Sequence, residues 1–353
     1  MTTVDLDDLE AVRAHDPGGM LAAAAQLASH CREGYANGTG AGALPDLVDV
    51  RNVVYCGMGG SAVAGDVLRS VFRDRLGVPV EVNRSSELPE HAGPHSLVVA
   101  CSYSGNTSET LTAFREAMKR GCRSVVITSG GAIADEAAEA GVPVVRVPGG
   151  MQPRAALGWL GCTALGALET AGLLPPLAED MAEAADEIQI RAATCGAEVP
   201  AAGNPAKHLA EEIGERIPVI WGAEGIGAVA AARWKTQMNE NGKVPAWWSS
   251  MSELDHNEVV GWTQPHGRAH AVIALRHDAE DPEMAARFPL SMRIAAEAGA
   301  TTGEVRANGR SALARLFSLI SFGDFVSVYV AIRRGIDPTP VDVITRLKAA
   351  LVS

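Results

Sequence analysis

Asn52-Val53-Val54-Tyr55-Cys56-Gly57-Met58-Gly59-Gly60-Ser61-Ala62 decides the fold: a strand-type β-branched and aromatic run breaks into a glycine-rich turn, and helical periodicity follows at once. The pattern returns as Leu97-Val98-Val99-Ala100-Cys101-Ser102-Tyr103-Ser104-Gly105-Asn106-Thr107, an apolar run, a turn of glycine and hydroxyl residues, then helical spacing over 109–120. Each turn can aim backbone N–H groups and hydroxyls at an anion from the start of a helix, where orphan donors and the positive dipole end favour negative charge. Together they predict a phosphate cradle made of Gly59, Gly60, Ser61, Ser102, Ser104 and Thr107. A plainer reading makes these residues turn formers and N-caps. It serves for one turn better than for two at neighbouring strand ends.

Working outward, 52–56, 78–82, 97–101, 124–128 and 142–147 read as strands, separated by helical stretches at 62–73, 109–120 and 132–140. This βαβα order implies a parallel sheet covered on both faces by helices, with ligands at the carboxyl ends of its strands. A second series follows: strands at 217–221, 270–275 and 302–306, helices at 225–240, 281–298 and 311–334. Val219-Ile220-Trp221-Gly222-Ala223-Glu224-Gly225 echoes the opening stretch without a serine at the helix start, so only the first copy is equipped for phosphate. The expected organisation is an N-terminal helical segment (1–48), a first doubly wound α/β domain with following helices (49–198), and a second such domain (204–353).

Composition bounds the function. A chain of 353 residues, 47% hydrophobic and 20% charged, is globular and large enough for two cores. Net charge of −12 argues against a nucleic-acid or anionic-membrane partner. The acidic N-terminus has no signal-type apolar region, and the six cysteines are scattered without CxxC spacing; a cytoplasmic protein with buried free thiols is expected.

Single motifs are weaker. Gly57-x-Gly59-x-x-Ala62 fits a dinucleotide fingerprint, with Glu81 at a plausible distance for a ribose contact; this keeps a nicotinamide-dependent oxidoreductase as an alternative. His266 and His270 have HxxxH spacing, but no glutamate completes an HExxH frame and Gly267 makes a helix doubtful; no metal is expected. Arg154 follows Pro153 at the start of an apolar helix, where the dipole disfavours a cation and an anionic partner would compensate it. Glu240 closes a long helix, where the negative dipole end suits a carboxylate to act as a base, although composition alone would make it a surface glutamate.

The paired turns resemble the sugar isomerase (SIS) domain. Further segments resemble one family within it, the bifunctional phosphoglucose/phosphomannose isomerases: Gln152-Pro153-Arg154-Ala155-Ala156-Leu157-Gly158, Asn239-Glu240-Asn241-Gly242-Lys243-Val244-Pro245-Ala246, Glu253-Leu254-Asp255-His256-Asn257-Glu258, and Asp337-Pro338-Thr339-Pro340-Val341 leading to Lys348. Ser61-Ala62 replaces the Ser-Gly of many members. The resemblance implies two SIS-type domains and interconversion of glucose 6-phosphate and mannose 6-phosphate with fructose 6-phosphate through a cis-enediolate, with no cofactor. It makes Glu240 the base that moves the proton between C1 and C2, and gives Arg154 the developing negative charge. His256 and Lys348 open the sugar ring, and Thr339 lines the C2–C3 region. It further implies a homodimer in which His256 reaches the neighbouring subunit's site. A non-catalytic sugar-phosphate-binding SIS protein is the other alternative.

Overall fold

The computed structural model describes residues 3–352, without the side chains of Lys348, Leu351 and Val352. The chain divides into two units, one of Gln26–Ile188 with Gly309–Phe317, the other of Met1–Ala25, Gln189–Asn308 and Ser318–Ser353. The helices of the N-terminal segment are therefore shared out: α1 (Leu9–His15) and α2 (Met20–Ala25) belong to the second unit, α3 (Leu27–Thr39) to the first.

The first unit continues with β1 (Asn52–Cys56), α4 (Gly60–Val71), β2 (Val80–Asn83), β3 (Ser96–Ser102), α5 (Ser108–Lys119), β4 (Arg123–Thr128), α6 (Ala132–Glu139), β5 (Val144–Arg146), α7 (Leu157–Thr170) and most of α8 (Ala178–Cys195). Its sheet is parallel throughout, in the order β2-β1-β3-β4-β5. β3 is buried along its whole length and β1 nearly so, which is why both read as continuous apolar runs rather than alternating ones. α3 and α7 pack almost backbone to backbone. A methyl on Gly38 would stand 2.2 Å from the Thr163 carbonyl oxygen, so the glycines at this crossing are steric necessities.

The second unit holds α9 (Pro205–Ile213), β6 (Ile217–Ala223), α10 (Ile226–Glu240), β7 (Trp247–Met251), α11 (Glu258–Gly261), β8 (His270–Arg276), α12 (Pro282–Glu297), β9 (Thr301–Arg306), most of α13 (Ala312–Arg333) and α14 (Asp342–Val352). Its parallel sheet runs β7-β6-β8-β9. Both sheets thus place consecutive connections on opposite sides of a central pair, as the doubly wound reading requires. Four elements were not expected: the short helices α11 and α14, the edge strand β7, which begins with the exposed pair Trp247 and Trp248, and α9, whose start is capped by Asn204 at the Ala206 and Lys207 amides. α13 is long and apolar enough to cross a membrane, but 94% of its apolar window is buried as a core helix.

The face of α10 turned to α13 is polar and bonded across the contact. Trp234 Nε1 donates to the Leu319 carbonyl oxygen (2.8 Å), Gln237 Nε2 to Asp324 (2.8 Å) and Asn241 Nδ2 to Ser327 Oγ (3.0 Å), while buried Arg233 pairs with Asp324 at 3.3 Å. In the first unit, Glu183 of α8 accepts the backbone N–H groups of Arg310 (2.8 Å) and Ser311 (3.0 Å) just ahead of α13. Burial raises its pKa, but those donors and their side chains outweigh it and bring the carboxyl down to about 2.

A depressed carboxyl stabilises the fold above its ordinary pKa and loses that contribution as pH falls through the folded value. Glu183→Gln should therefore lower stability at pH 7 by about 1–3 kcal/mol. The gap should close between about pH 4.5 and pH 2. Parallel denaturant titrations of both proteins across that range check this; a pH-independent gap would assign the loss to packing.

Candidate active site

β1 and β3 are neighbours whose following helices turn away in opposite directions, so the turns after them, 57–61 and 103–107, flank the switch-point crevice of the first sheet. Ser61 and Ser102 are buried, Thr107 is half-buried and Ser104 is exposed at the tip of its turn. The turns are tied together: Tyr103 N–H donates to Ser61 Oγ at 3.3 Å. Ser102 Oγ donates to Thr107 Oγ1 (3.0 Å) and accepts from Gly105 N–H (3.1 Å), and Ser104 Oγ accepts from Asn106 N–H (3.3 Å).

The plain N-cap reading does not describe these residues. Gly59, at φ 52, precedes α4, and Thr107 precedes α5, yet neither helix start carries a side-chain cap. A threonine in that position ordinarily bonds the amides of its own first turn; here its hydroxyl accepts from Ser102.

Arg154 joins this group. It lies in a one-turn 3-10 helix, Pro153–Ala155, just ahead of α7, and a Cβ on Gly60 would come within 3.0 Å of the Pro153 carbonyl oxygen, so the start of α4 and this turn are in contact. Arg154 is only 2% exposed, and one of its terminal nitrogens donates to Gln152 Oε1 at 3.2 Å. His30 of α3 lies beneath the turn, bonded to the Ala155 backbone; burial lowers its pKa, which keeps a second positive charge away from this spot.

The dinucleotide alternative meets an obstacle in β2. Glu81 pairs in register with Val54 in mid-strand, and the carboxyl-end position, opposite Cys56, is Asn83. A ribose-binding acid belongs at that end of the strand. The HxxxH pair also fails to form a helical face: a 3-10 turn, Gly267–Ala269, separates exposed His266 from His270, which opens β8. Among the described residues no group of three or more His, Cys, Asp or Glu side chains is arranged to hold a metal ion.

In the second unit, α10 ends at Glu240, which is half-buried. Buried Asn241 follows, then Gly242, where a Cβ would lie 2.7 Å from the Met238 carbonyl oxygen, and Lys243 at φ 53. His256 closes a 3-10 turn, Glu253–His256. Around it, Asp255 accepts from Ser291 Oγ (2.7 Å) and Arg287 (3.2 Å), and Asn257 caps α11 at the Glu258 amide (2.6 Å) and donates to Glu253 (2.8 Å). Glu258 accepts from the indoles of Trp221 (2.9 Å) and Trp262 (3.3 Å) and from Ser249. His256 itself is exposed and among the described residues has no such bond. The polar segment is a scaffold presenting one imidazole outward. Lys348 falls within α14, and its side chain lies outside the described residues.

Residues 46–143 match the SIS domain family, and residues 202–351 match the bacterial phospho-glucose isomerase C-terminal SIS domain. A bifunctional phosphoglucose/phosphomannose isomerase of Caldicellulosiruptor bescii is 39% identical over 86% of this chain and 90% of its own length; one of Thermoplasma acidophilum is 35% identical over 84% and 88%. The chain belongs to the bifunctional phosphoglucose/phosphomannose isomerase family. A hypothetical protein of Thermus thermophilus has the same fold, with a TM-score of 0.72 at 17% identity over 98% of this chain and 94% of its own. In this member of the isomerase family, sequence reasoning missed two things: the indole bonds that anchor Glu258 two residues after His256, signalled only by that spacing, and the left-handed backbone of Lys243, which no sequence pattern announces.

Gly105 gives a direct test of the second turn. Its φ is 70, and a Cβ there would sit 1.7 Å from the Gly130 carbonyl oxygen. Gly105→Ala should cost about 1–3 kcal/mol or more through strain and overpacking. If the turn receives phosphate, inorganic phosphate should raise the Tm of the wild type and leave that of Gly105→Ala unmoved. A variant that melts like wild type would show the turn to be adaptable.

Proposed function

We propose that this protein is an aldose-ketose isomerase interconverting glucose 6-phosphate and mannose 6-phosphate with fructose 6-phosphate. What carries the reading is the 39% identity to such an enzyme over nearly the whole of both chains. The two linked hydroxyl turns at one switch point supply the chemistry it needs. The phosphate is assigned to Gly59, Gly60, Ser61, Ser102, Ser104 and Thr107. His256 and Lys348 are assigned to ring opening, in which the C1 hydroxyl of an aldose gives up its proton while the ring oxygen gains one.

With the chain open, Glu240 removes the proton from C2 and the electron pair moves into a C1–C2 double bond. The resulting cis-enediolate carries its charge on oxygen, where Arg154 is assigned to stabilise it. The O2 hydroxyl proton passes to O1, and return of the carbon-bound proton from Glu240 to C1 closes the C2 carbonyl and gives the ketose. Glucose and mannose 6-phosphates differ only at C2, and the planar enediolate is common to both, so one base serves either once rotation about C2–C3 is allowed. Each proton-transfer and charge-stabilising role is carried by an amino-acid side chain, so the mechanism requires no cofactor.

A homodimer follows from the same reading. His256 is held outward beside β7 and α11, where Trp247, Trp248 and Val260 are 54%, 40% and 65% exposed. A second copy covering that apolar surface would receive the imidazole. Six free cysteines favour a reducing, cytoplasmic setting.

Purified protein given fructose 6-phosphate alone should yield both aldose phosphates; saturable binding without turnover would favour the sugar-phosphate-binding alternative. Glu240→Gln should lower kcat by about 10²- to 10⁴-fold and abolish exchange of the C2 proton into deuterated water, with phosphate-anchored binding retained. Undiminished exchange would sink the assignment of the base.

A further inference from the structure

One side chain joins two segments of the second unit that the mechanism leaves without a link. Lys243 follows α10, and its Nζ donates to the carbonyl oxygen of Pro338 at 2.9 Å and to those of Glu240 and Pro340. Three acceptors match the three donors of an ammonium. One belongs to the last residue of α10, where a cation also answers the negative dipole end. The other two belong to the 338–340 turn, nearly a hundred residues later.

The backbone at Lys243 sharpens the point. At φ 53 it occupies the left-handed region, where a Cβ is disfavoured and glycine or asparagine is the ordinary choice after a helix. A lysine there keeps an unfavourable backbone for the sake of its side chain. The far side of the 338–340 turn is buttressed as well. A Cβ on Gly18 would fall 2.1 Å from Thr339 Oγ1, and the Thr339 amide donates to Asp337 Oδ1 at 2.8 Å. The turn is thus held between the N-terminal segment and an ammonium seated on the end of α10.

We propose that Lys243 is a positioning residue for the isomerisation, whose ammonium sets the spacing between the helix end carrying Glu240 and the 338–340 turn. The proposal rests on the reading of Glu240 as the base. It predicts a defect in the chemical step and in the partition of the enediolate between glucose and mannose 6-phosphates, because both depend on how the base is held against C1 and C2. Anchoring of the phosphate is independent of it.

Two variants separate this from a folding role. Lys243→Met keeps the stem and removes the donors; Lys243→Gly removes the side chain and relieves the backbone. Both should fold, with kcat on fructose 6-phosphate lower by about 10- to 100-fold and KM within about 3-fold of wild type. The initial ratio of the two aldose products should change, and n-butylammonium should restore kcat in Lys243→Gly. Amide hydrogen exchange over 239–244 and 337–341 should accelerate in both variants. Wild-type kcat and product ratio in the folded variants would overturn the proposal. Unchanged exchange would do the same even in a protein without turnover. Absence of turnover in the wild type would instead overturn the isomerase reading, so the two failures are distinct.

Discussion

Asp324 is the constraint on which the second unit's geometry depends. A buried carboxylate costs several kcal/mol to desolvate and is tolerated only when its acceptor sites are filled. Here Arg233 and Gln237, one helical turn apart, fill them, and Asn241 extends the same row to Ser327. An apolar contact of the same area would let α10 slide or roll against α13. Directional bonds from three successive turns do not. Glu240 directly precedes Asn241, the last residue in that row, so the row fixes the helix end that carries it.

The two sheets have one topology and opposite turn chemistry. In the first, the switch-point turns are built of glycines and hydroxyls that bond each other lightly and can turn to an anion. In the second, the turn after β8 is occupied by the chain's own anion. Glu280 is almost wholly buried, pairs with Arg276 at 2.7 Å and accepts the His277 amide at 2.9 Å. The turn after β6 carries Glu224, which accepts from Ser250 at 3.0 Å. A backbone N–H already bonded to a carboxylate is not free to receive another anion. The echo between Val53–Gly59 and Val219–Gly225 is one of fold, with a carboxylate in the second turn where the first carries glycine and serine.

Much of this was legible in the sequence because it is local. β1 matches the expected 52–56, and α10 closes at Glu240, since apolar runs and the Asn241-Gly242 break act within a few residues. β7 escaped because its first residues are two exposed tryptophans on an edge strand, with neither alternation nor a buried run to mark them. Tertiary effects were out of reach for a different reason. A lysine in left-handed backbone reads as a surface charge until the carbonyls of Pro338 and Pro340 arrive from elsewhere in the chain. Glu258 reads as a solvated acid until Trp221 and Trp262 bring their indoles to it. The burial of Arg154 was out of reach in the same way, because it depends on packing between α4 and the turn ahead of α7.

A protein of net charge −12 must still admit a phosphorylated ligand if the isomerase reading holds. Exposed charges act over a screening length of about 8 Å at physiological salt, so the field in the crevice belongs to what lies within that distance. There the starts of α4 and α5 present the positive ends of two helix dipoles, and Arg154 adds a full charge held out of water. Under that reading a phosphorylated ligand in the crevice meets two helix starts and a buried cation at close range, while the distant surface acids are screened and set only its approach.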